Sequence, residues 1–166
     1  INGTLYFSAY DPASGTELWK SNGTAAGTVL VKDIVTGSGS SYPQNLVNVN
    51  GTLFFIASDP ASGTELWKSN GLEAGTLQVK DIYPGAESSY PSYLTNVNGT
   101  LYFSAYEPTN GTELWKSNGQ EAGTLLVKDI YPGAEGSYPS SLTNVNGVLY
   151  FMAADPTSGG ELWKSD

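Results

Sequence analysis

Glu17-Leu18-Trp19-Lys20-Ser21-Asn22-Gly23-Thr24 decides the fold, because the chain repeats it at a fixed interval. It returns as Glu65-Leu66-Trp67-Lys68-Ser69-Asn70-Gly71-Leu72 and as Glu113-Leu114-Trp115-Lys116-Ser117-Asn118-Gly119-Gln120. A last copy runs from Glu161 to Asp166, so the four copies open at evenly spaced glutamates. Between residues 50–97 and 98–145, 38 of 48 positions are identical. A strict 48-residue period signifies an array of equal supersecondary units. Such an array presents a repeated surface rather than one cleft, so binding or scaffolding is expected ahead of catalysis.

Outward from that stretch, each unit divides into four short extended runs. The first is Thr52 to Ala57 (matched by Leu5 to Ala9, Leu101 to Ala105 and Leu149 to Ala153), and the second is the Glu-Leu-Trp-Lys run. The third is Thr76 to Ile82 (with Thr28 to Ile34 and Thr124 to Ile130), and the fourth is Leu94 to Val97 (with Leu46 to Val49 and Leu142 to Val145). Runs this short, rich in aromatic and β-branched residues and bounded by Gly, Pro, Asn and Ser, predict strands. No window carries helical periodicity with caps. Asn50-Gly51, Asn98-Gly99 and Asn146-Gly147 fall between apolar runs, where a two-residue hairpin turn needs positive φ at both positions.

Four antiparallel strands in a unit of this length match the blade of a propeller. The expected fold is therefore all-β: a β-propeller-like array of four-stranded antiparallel blades, about 3.5 repeats per chain. The whole of 1–166 forms one array, with units 2–49, 50–97 and 98–145 and a partial unit 146–166. Propellers need about four to eight blades, and open strand edges invite pairing. The expectation is thus a homo-oligomer, a dimer of seven or eight blades, or a portion of a longer array.

Composition narrows the function classes. Sixteen carboxylates against seven Lys or Arg give a net charge of −9, and His and Cys are absent. Every one of the seven cations is lysine. Nucleic acid is excluded as an expected partner, since phosphate neutralisation needs clustered Lys and Arg. A thiol nucleophile, a Ser-His pair and the usual zinc site are excluded with the missing residues. No run approaches the roughly 18 apolar residues that span a bilayer, so no membrane insertion is expected.

Candidate residues follow from recurrence. Trp19, Trp67, Trp115 and Trp163, one per unit, are expected to anchor packing between blades. Asp11 with Glu17, Asp59 with Glu65, Glu107 with Glu113 and Asp155 with Glu161 bracket one loop in four copies. They suggest a calcium site on oxygen ligands, or else an Asp-Pro turn opener followed by a solvated strand-start glutamate paired with a nearby lysine; without the dense Asp-x-Asp-x-Asp-Gly spacing no cofactor is expected. Tyr42, Tyr90 and Tyr138, each in Ser-Tyr-Pro before the fourth run, either stack on a sugar or fill the gap between blades. Asn2, Asn22, Asn50, Asn98 and Asn110 open Asn-Gly-Thr, which is both a glycosylation pattern and a hairpin turn; the turn is expected. Acids that recur at one phase argue against the asymmetric carboxylate pair of a glycoside hydrolase.

Glu-Leu-Trp-Lys-Ser-Asn-Gly-Thr followed by Ala-Gly-Thr-(Val/Leu)-X-Val-Lys-Asp-Ile resembles the bacterial ELWxxDGT repeat, sometimes labelled hyalin-like, along the whole chain. The resemblance implies a secreted or cell-surface β-propeller-like array. The family's Asp is Asn22, Asn70 and Asn118 here and survives only at Asp166, and its Thr survives only at Thr24. A metal role for that acid does not carry over, whereas a turn role does, because Asn tolerates positive φ. The functional expectation is a non-catalytic extracellular recognition or adhesion module, binding carbohydrate weakly at several copies of one site. The alternative is a structural scaffold that assembles through open strand edges into a matrix or filament.

Overall fold

The Asn-Gly turns settle how the strands are grouped. Asn50 and Gly51 take φ of 51° and 86°, and Asn98-Gly99 and Asn146-Gly147 do the same, as a tight hairpin with two left-handed residues requires. Each turn therefore joins the fourth run of one unit to the first run of the next in a single sheet. The computed structural model describes residues 1–165; Asp166, the acid that the sequence retains at the end of the last repeat, lies outside them.

Four antiparallel sheets result. Sheet 1 holds β1 (Leu5–Asp11), β2 (Gly15–Ser21) and β3 (Val29–Lys32). Sheet 2 holds β4 (Gln44–Val49), β5 (Thr52–Asp59), β6 (Gly63–Ser69) and β7 (Leu77–Lys80). Sheet 3 repeats it as β8 (Ser92–Val97), β9 (Thr100–Glu107), β10 (Gly111–Ser117) and β11 (Leu125–Lys128). Sheet 4 holds β12 (Ser140–Val145), β13 (Val148–Asp155) and β14 (Gly159–Ser165). All are meanders. The expected units 2–49, 50–97 and 98–145 thus cut across the sheets: two complete sheets are flanked by one without its first strand and one without its last.

Two local departures have visible causes. The third strand stops at Lys32, Lys80 or Lys128 rather than at the following isoleucine, because the backbone there turns away to bond a buried glutamate. The Asn of the Asn-Gly-x stretch does not itself take positive φ. Asn22, Asn70 and Asn118 instead accept the N–H two residues on through Oδ1, at 3.1, 3.0 and 2.9 Å, and leave positive φ to the next glycine.

Strand alternation places Leu18 and Trp19 on opposite faces of β2, and the same holds in β6, β10 and β14. Both faces are apolar, so the sheets stack. Leu18, Val31 and Ile34 of the first unit pack on Leu53, Phe55, Ala57 and Trp67 of sheet 2. Leu66, Val79 and Ile82 pack in the same way on Leu101, Phe103, Ala105 and Trp115 of sheet 3. Leu114 and Ile130 pack on Leu149, Phe151, Ala153 and Trp163 of sheet 4. Each tryptophan with a preceding sheet therefore sits in the seam, where it was expected; Trp19, on the outer face of sheet 1, is only half-buried. Lysines tie the seams from outside. Lys20 and Lys68 Nζ donate to the Gly71 and Gly119 carbonyls (2.7 and 2.6 Å), and Lys32 and Lys80 to those of Thr76 and Thr124 (3.0 and 3.1 Å). Lys80 also lies 5.8 Å above the Trp115 ring. The first strands of successive sheets, β4 with β8 and β8 with β12, are in direct contact.

Truncating the seam anchor should be costly only where a seam exists. Trp115→Ala is expected to lower the unfolding free energy by about 3–5 kcal/mol, and Trp19→Ala by a smaller ~1–2 kcal/mol. Urea denaturation followed by circular dichroism reads both; equal losses would contradict the packing described.

Candidate functional site

The acid that opens each Glu-Leu-Trp-Lys run points inward. Glu17, Glu65 and Glu113 are fully buried. The Glu17 carboxylate accepts the N–H groups of Ile34 (3.2 Å), Val35 (3.3 Å) and Ser41 (2.9 Å), and the Ser41 hydroxyl at 2.5 Å. Glu65 accepts from Ile82 N (3.3 Å), Ser89 N (2.8 Å) and Ser89 Oγ (2.6 Å). Glu113 accepts from Tyr131 N (3.1 Å), Ser137 N (2.8 Å) and Ser137 Oγ (2.5 Å). One carboxylate thus closes the loop between the third strand and the next sheet at both its ends. The serine then reaches onward: the carbonyls of Ser41, Ser89 and Ser137 accept the N–H of Ser58, Tyr106 and Ala154, each at 2.8 Å.

The clasp separates the acids that the sequence pairs. The paired acids do not converge on a shared position. The outer member of each pair caps its own turn: Asp11 accepts Ala13 N (2.9 Å), Asp59 accepts Ala61 N (2.7 Å), Glu107 accepts Thr109 N (3.2 Å) and Asn110 N (2.6 Å), and Asp155 accepts Thr157 N and Ser158 N (2.7 and 2.8 Å). The bonds from Ser158 and Thr157 hold the Asp155 carboxyl below its usual range. The inner members face the N–H and O–H donors of their loop instead. Glu161 is exposed. Among the described residues no group of three or more acids is placed to hold a metal ion.

The residue after each clasp serine is the tyrosine singled out from the sequence. Tyr42, Tyr90 and Tyr138 take φ of 49°, 46° and 51°, a left-handed conformation that costs a non-glycine residue about 1–2 kcal/mol. Their N-terminal neighbour is fixed by the glutamate and a proline follows, so the strain is imposed from both sides. The rings emerge 63 %, 70 % and 64 % exposed. They do not fill the gaps between sheets, which was the other expectation. Tyr138 and Pro139 close one side of a cavity of about 330 Å³ whose other walls are Tyr93, Ser92, Ser104 and Thr112. Tyr93 and Ser92 also border a hollow of about 360 Å³ between β4 and β8.

Sequence reasoning missed two parts of this arrangement. Ser41, Ser89 and Ser137 were visible as an invariant spacing from the glutamate, a signal that only a buried acceptor explains. Asn45, Tyr93 and Ser141 share a left-handed conformation (φ 54°, 56° and 55°) at a bulge near the start of the first strand of their sheets. Three unlike residues at one phase gave no signal.

In fold, the chain is similar to a prolyl endopeptidase described in a study of the role of inter-domain dynamics in catalysis and specificity. The TM-score is 0.57 at 12 % identity, covering 98 % of this chain and 25 % of that one. It is also matched to the Bacteroides ovatus protein titled Xyloglucan PUL GH43B, with a TM-score of 0.49 at 15 % identity over 99 % of this chain and 37 % of that one. The chain therefore spans about a quarter of the first and about a third of the second. No protein-family model and no curated protein matches it.

Burial pushes the Glu65 carboxyl from its ordinary 4.5 up to about 7, against the lowering effect of the Ser89 and loop donors. Glu113 is raised by the same desolvation. A folded-state pKa above the unfolded one means that the fold binds the proton more tightly. The contribution of Glu65 is therefore most favourable below the unfolded value and is lost as the pH rises through 4.5 to about 7. The melting temperature is expected to fall across that window and less so in Glu65→Gln. An unchanged slope in the variant would assign the titration to another group.

Proposed function

We propose that this chain is a non-catalytic carbohydrate-recognition module, an arc of a β-propeller that presents several copies of a weak sugar-binding rim. The observation that carries the reading is the emergence of Tyr42, Tyr90 and Tyr138 at one phase, strained and exposed, one per sheet-to-sheet loop. An aromatic face beside serine and threonine hydroxyls suits a pyranose, whose C–H face stacks while its hydroxyls exchange hydrogen bonds. The acids that could otherwise serve catalysis are engaged in clasps and turns, which favours binding over hydrolysis. Repetition supplies avidity: sites of millimolar affinity spaced on one scaffold hold a polymer through effective concentration. A secreted or cell-surface setting rests on the resemblance to the ELWxxDGT repeats. The sheet-to-sheet stacking and the contacts of β4 with β8 and β8 with β12 support the propeller arrangement.

Affinity electrophoresis through gels cast with soluble polysaccharides tests the proposal. Retardation by at least one polysaccharide is expected, with Tyr90→Ala several-fold weaker. The triple replacement of Tyr42, Tyr90 and Tyr138 by Ala should be weaker by about 100-fold or more, as multivalency is lost. Because the rings are exposed, all variants should melt with the parent. Retardation that survives the triple replacement would place binding elsewhere, and none from any polysaccharide would favour the scaffold.

A further inference from the structure

The seam between sheets 3 and 4 is built like the seam between sheets 2 and 3, except beside its tyrosine. Cross-strand register aligns Gln44, Ile56 and Leu66 on sheet 2 with Ser92, Ser104 and Leu114 on sheet 3. Both leucines are buried in their seams. Next to them sheet 2 carries a buried isoleucine and a glutamine, whereas sheet 3 carries two serines. The shorter side chains leave room, and both serines line the cavity of about 330 Å³ at Tyr138 and Pro139. Ser104 is only 2 % exposed, so a hydroxyl stands where the other seam has an apolar side chain. Among the described residues no protein group is hydrogen-bonded to the hydroxyls of Ser92, Ser104, Thr112 or Ser140, which all line this cavity. Thr64, the counterpart of Thr112, pairs with the Ser58 hydroxyl at 2.7 Å; opposite Thr112 that serine is replaced by Tyr106. Tyr93 completes the contrast. Its φ of 56° is shared by Asn45, a residue type that bears positive φ readily, whereas a tyrosine there is strained. Its ring is 49 % exposed, so packing within the chain does not account for it. Tyr93 and Ser92 also border the hollow of about 360 Å³ between β4 and β8, which Asn45 lines as well. Neither hollow is lined by a charged side chain.

We infer that the copies are unequal, and that the seam between sheets 3 and 4 is the principal site. It takes two consecutive residues of a neutral oligosaccharide, one in the Tyr138 cavity and one in the adjoining hollow, with Tyr93 as their shared wall. This deepens the carbohydrate reading and rests on it. Each hollow falls in the range of about 300–1,000 Å³ typical of small-ligand sites, where a few polar groups converge on largely apolar walls. The free hydroxyls supply hydrogen bonds in both directions, as sugar hydroxyls require. Uronic and sulfated sugars are disfavoured, because an anion there meets no cation and is repelled by a chain of net charge −9. The seam between sheets 2 and 3 keeps the exposed Tyr90 but has Gln44, Asn45 and Ile56 at the other phases, so it offers a stacking face without the second aromatic wall. A polymer engages all the rims, whereas an oligosaccharide too short to bridge them settles in the one seam that encloses it.

NMR titration of the whole isotope-labelled chain with neutral trisaccharides of glucose, mannose, galactose and xylose, and with trigalacturonate, is the test. At least one neutral trisaccharide is expected to shift the amides of Ser92, Tyr93, Ser104 and Thr112 at the lowest concentrations. Trigalacturonate should bind more weakly by about tenfold or more. Tyr93→Asn and Ser104→Ile, which install the residues of sheet 2, should each weaken the neutral ligand about tenfold or more. Both variants should melt no lower than the parent, because Asn45 and Ile56 are accommodated at the same phases. Shifts spread equally beside Tyr42, Tyr90 and Tyr138, or binding indifferent to both substitutions, would overturn the inference and leave the carbohydrate reading standing. So would a parent that polysaccharide gels retard but no trisaccharide shifts. Trigalacturonate binding as tightly as the galactose trisaccharide would overturn the neutral class. Neither shifts nor retardation would overturn the inference and the reading together.

Discussion

A buried carboxylate, one per complete unit, is the interaction on which the rest of this fold depends. Glu17, Glu65 and Glu113 exchange hydration for donors supplied by one loop. Burying an isolated carboxylate is prohibitive, and hydrogen bonds to a charged acceptor are each worth only about 1.5–3 kcal/mol net. The exchange is therefore tolerated only with a near-complete donor set, and even then desolvation outweighs the donors at Glu65 and Glu113, whose carboxyls are raised. That requirement fixes the path of the loop at its beginning, where the third strand is cut short, and at its end, where the serine is held. It also fixes the position of the next sheet, since the same serine carbonyl receives a strand N–H from it. One side chain thus joins strand length, loop shape and sheet stacking.

The clasp also accounts for a feature that local propensity opposes. A tyrosine before proline disfavours helical φ and ψ, and left-handed backbone is poor for any β-carbon-bearing residue. Three tyrosines adopt it because the residue before each has no freedom left. The strain is displaced onto the best-anchored point of the loop, and the ring is turned to solvent. Seams are apolar and clasps are polar, yet both act between neighbours in sequence, so a change in one unit is felt chiefly by the next. The tryptophans also carry a cost: the indole N–H groups of Trp19, Trp67 and Trp115 are buried without a protein partner, whereas that of Trp163 reaches the Ala153 carbonyl at 3.1 Å.

Much of this could be read from the chain. The regular period, the strand-rich units, the Asn-Gly hairpins and the seam role of tryptophan follow from residue type and spacing, because each is decided by local turn chemistry or by area. The grouping of strands into sheets was less legible. A period has no natural starting point, and only the hairpin that couples one unit to the next shows where a sheet begins. The glutamates were misread for a related reason. An acid at the start of a strand looks solvated in sequence, and its burial depends on a serine far along the chain, in a loop without regular structure. Tyr93 was hidden because its phase holds Asn45 and Ser141 in the other copies.

The pattern of differences between units 50–97 and 98–145 carries the argument one step on. The glutamate, the clasp serine, the seam leucines and the tryptophan are the same in both, and variation falls beside them. One difference touches the rim. Ser88 accepts the Thr64 N–H through Oγ at 2.8 Å, as Ser40 does for Thr16 at 2.9 Å. At that phase the third unit has Gly136, which pairs directly with Thr112. A Cβ on Gly136 would lie 2.3 Å from the Thr112 nitrogen, so the closer approach exists only because the side chain is gone. Thr112 lines the same cavity as Tyr93 and Tyr138, and Tyr93 is itself a residue that varies. Clasps and seams must match their neighbours and so stay alike, whereas rim residues answer to no neighbour and can diverge. The array thus holds its sheets in equal positions and repeats the exposed tyrosine, while the residues beside it differ from unit to unit.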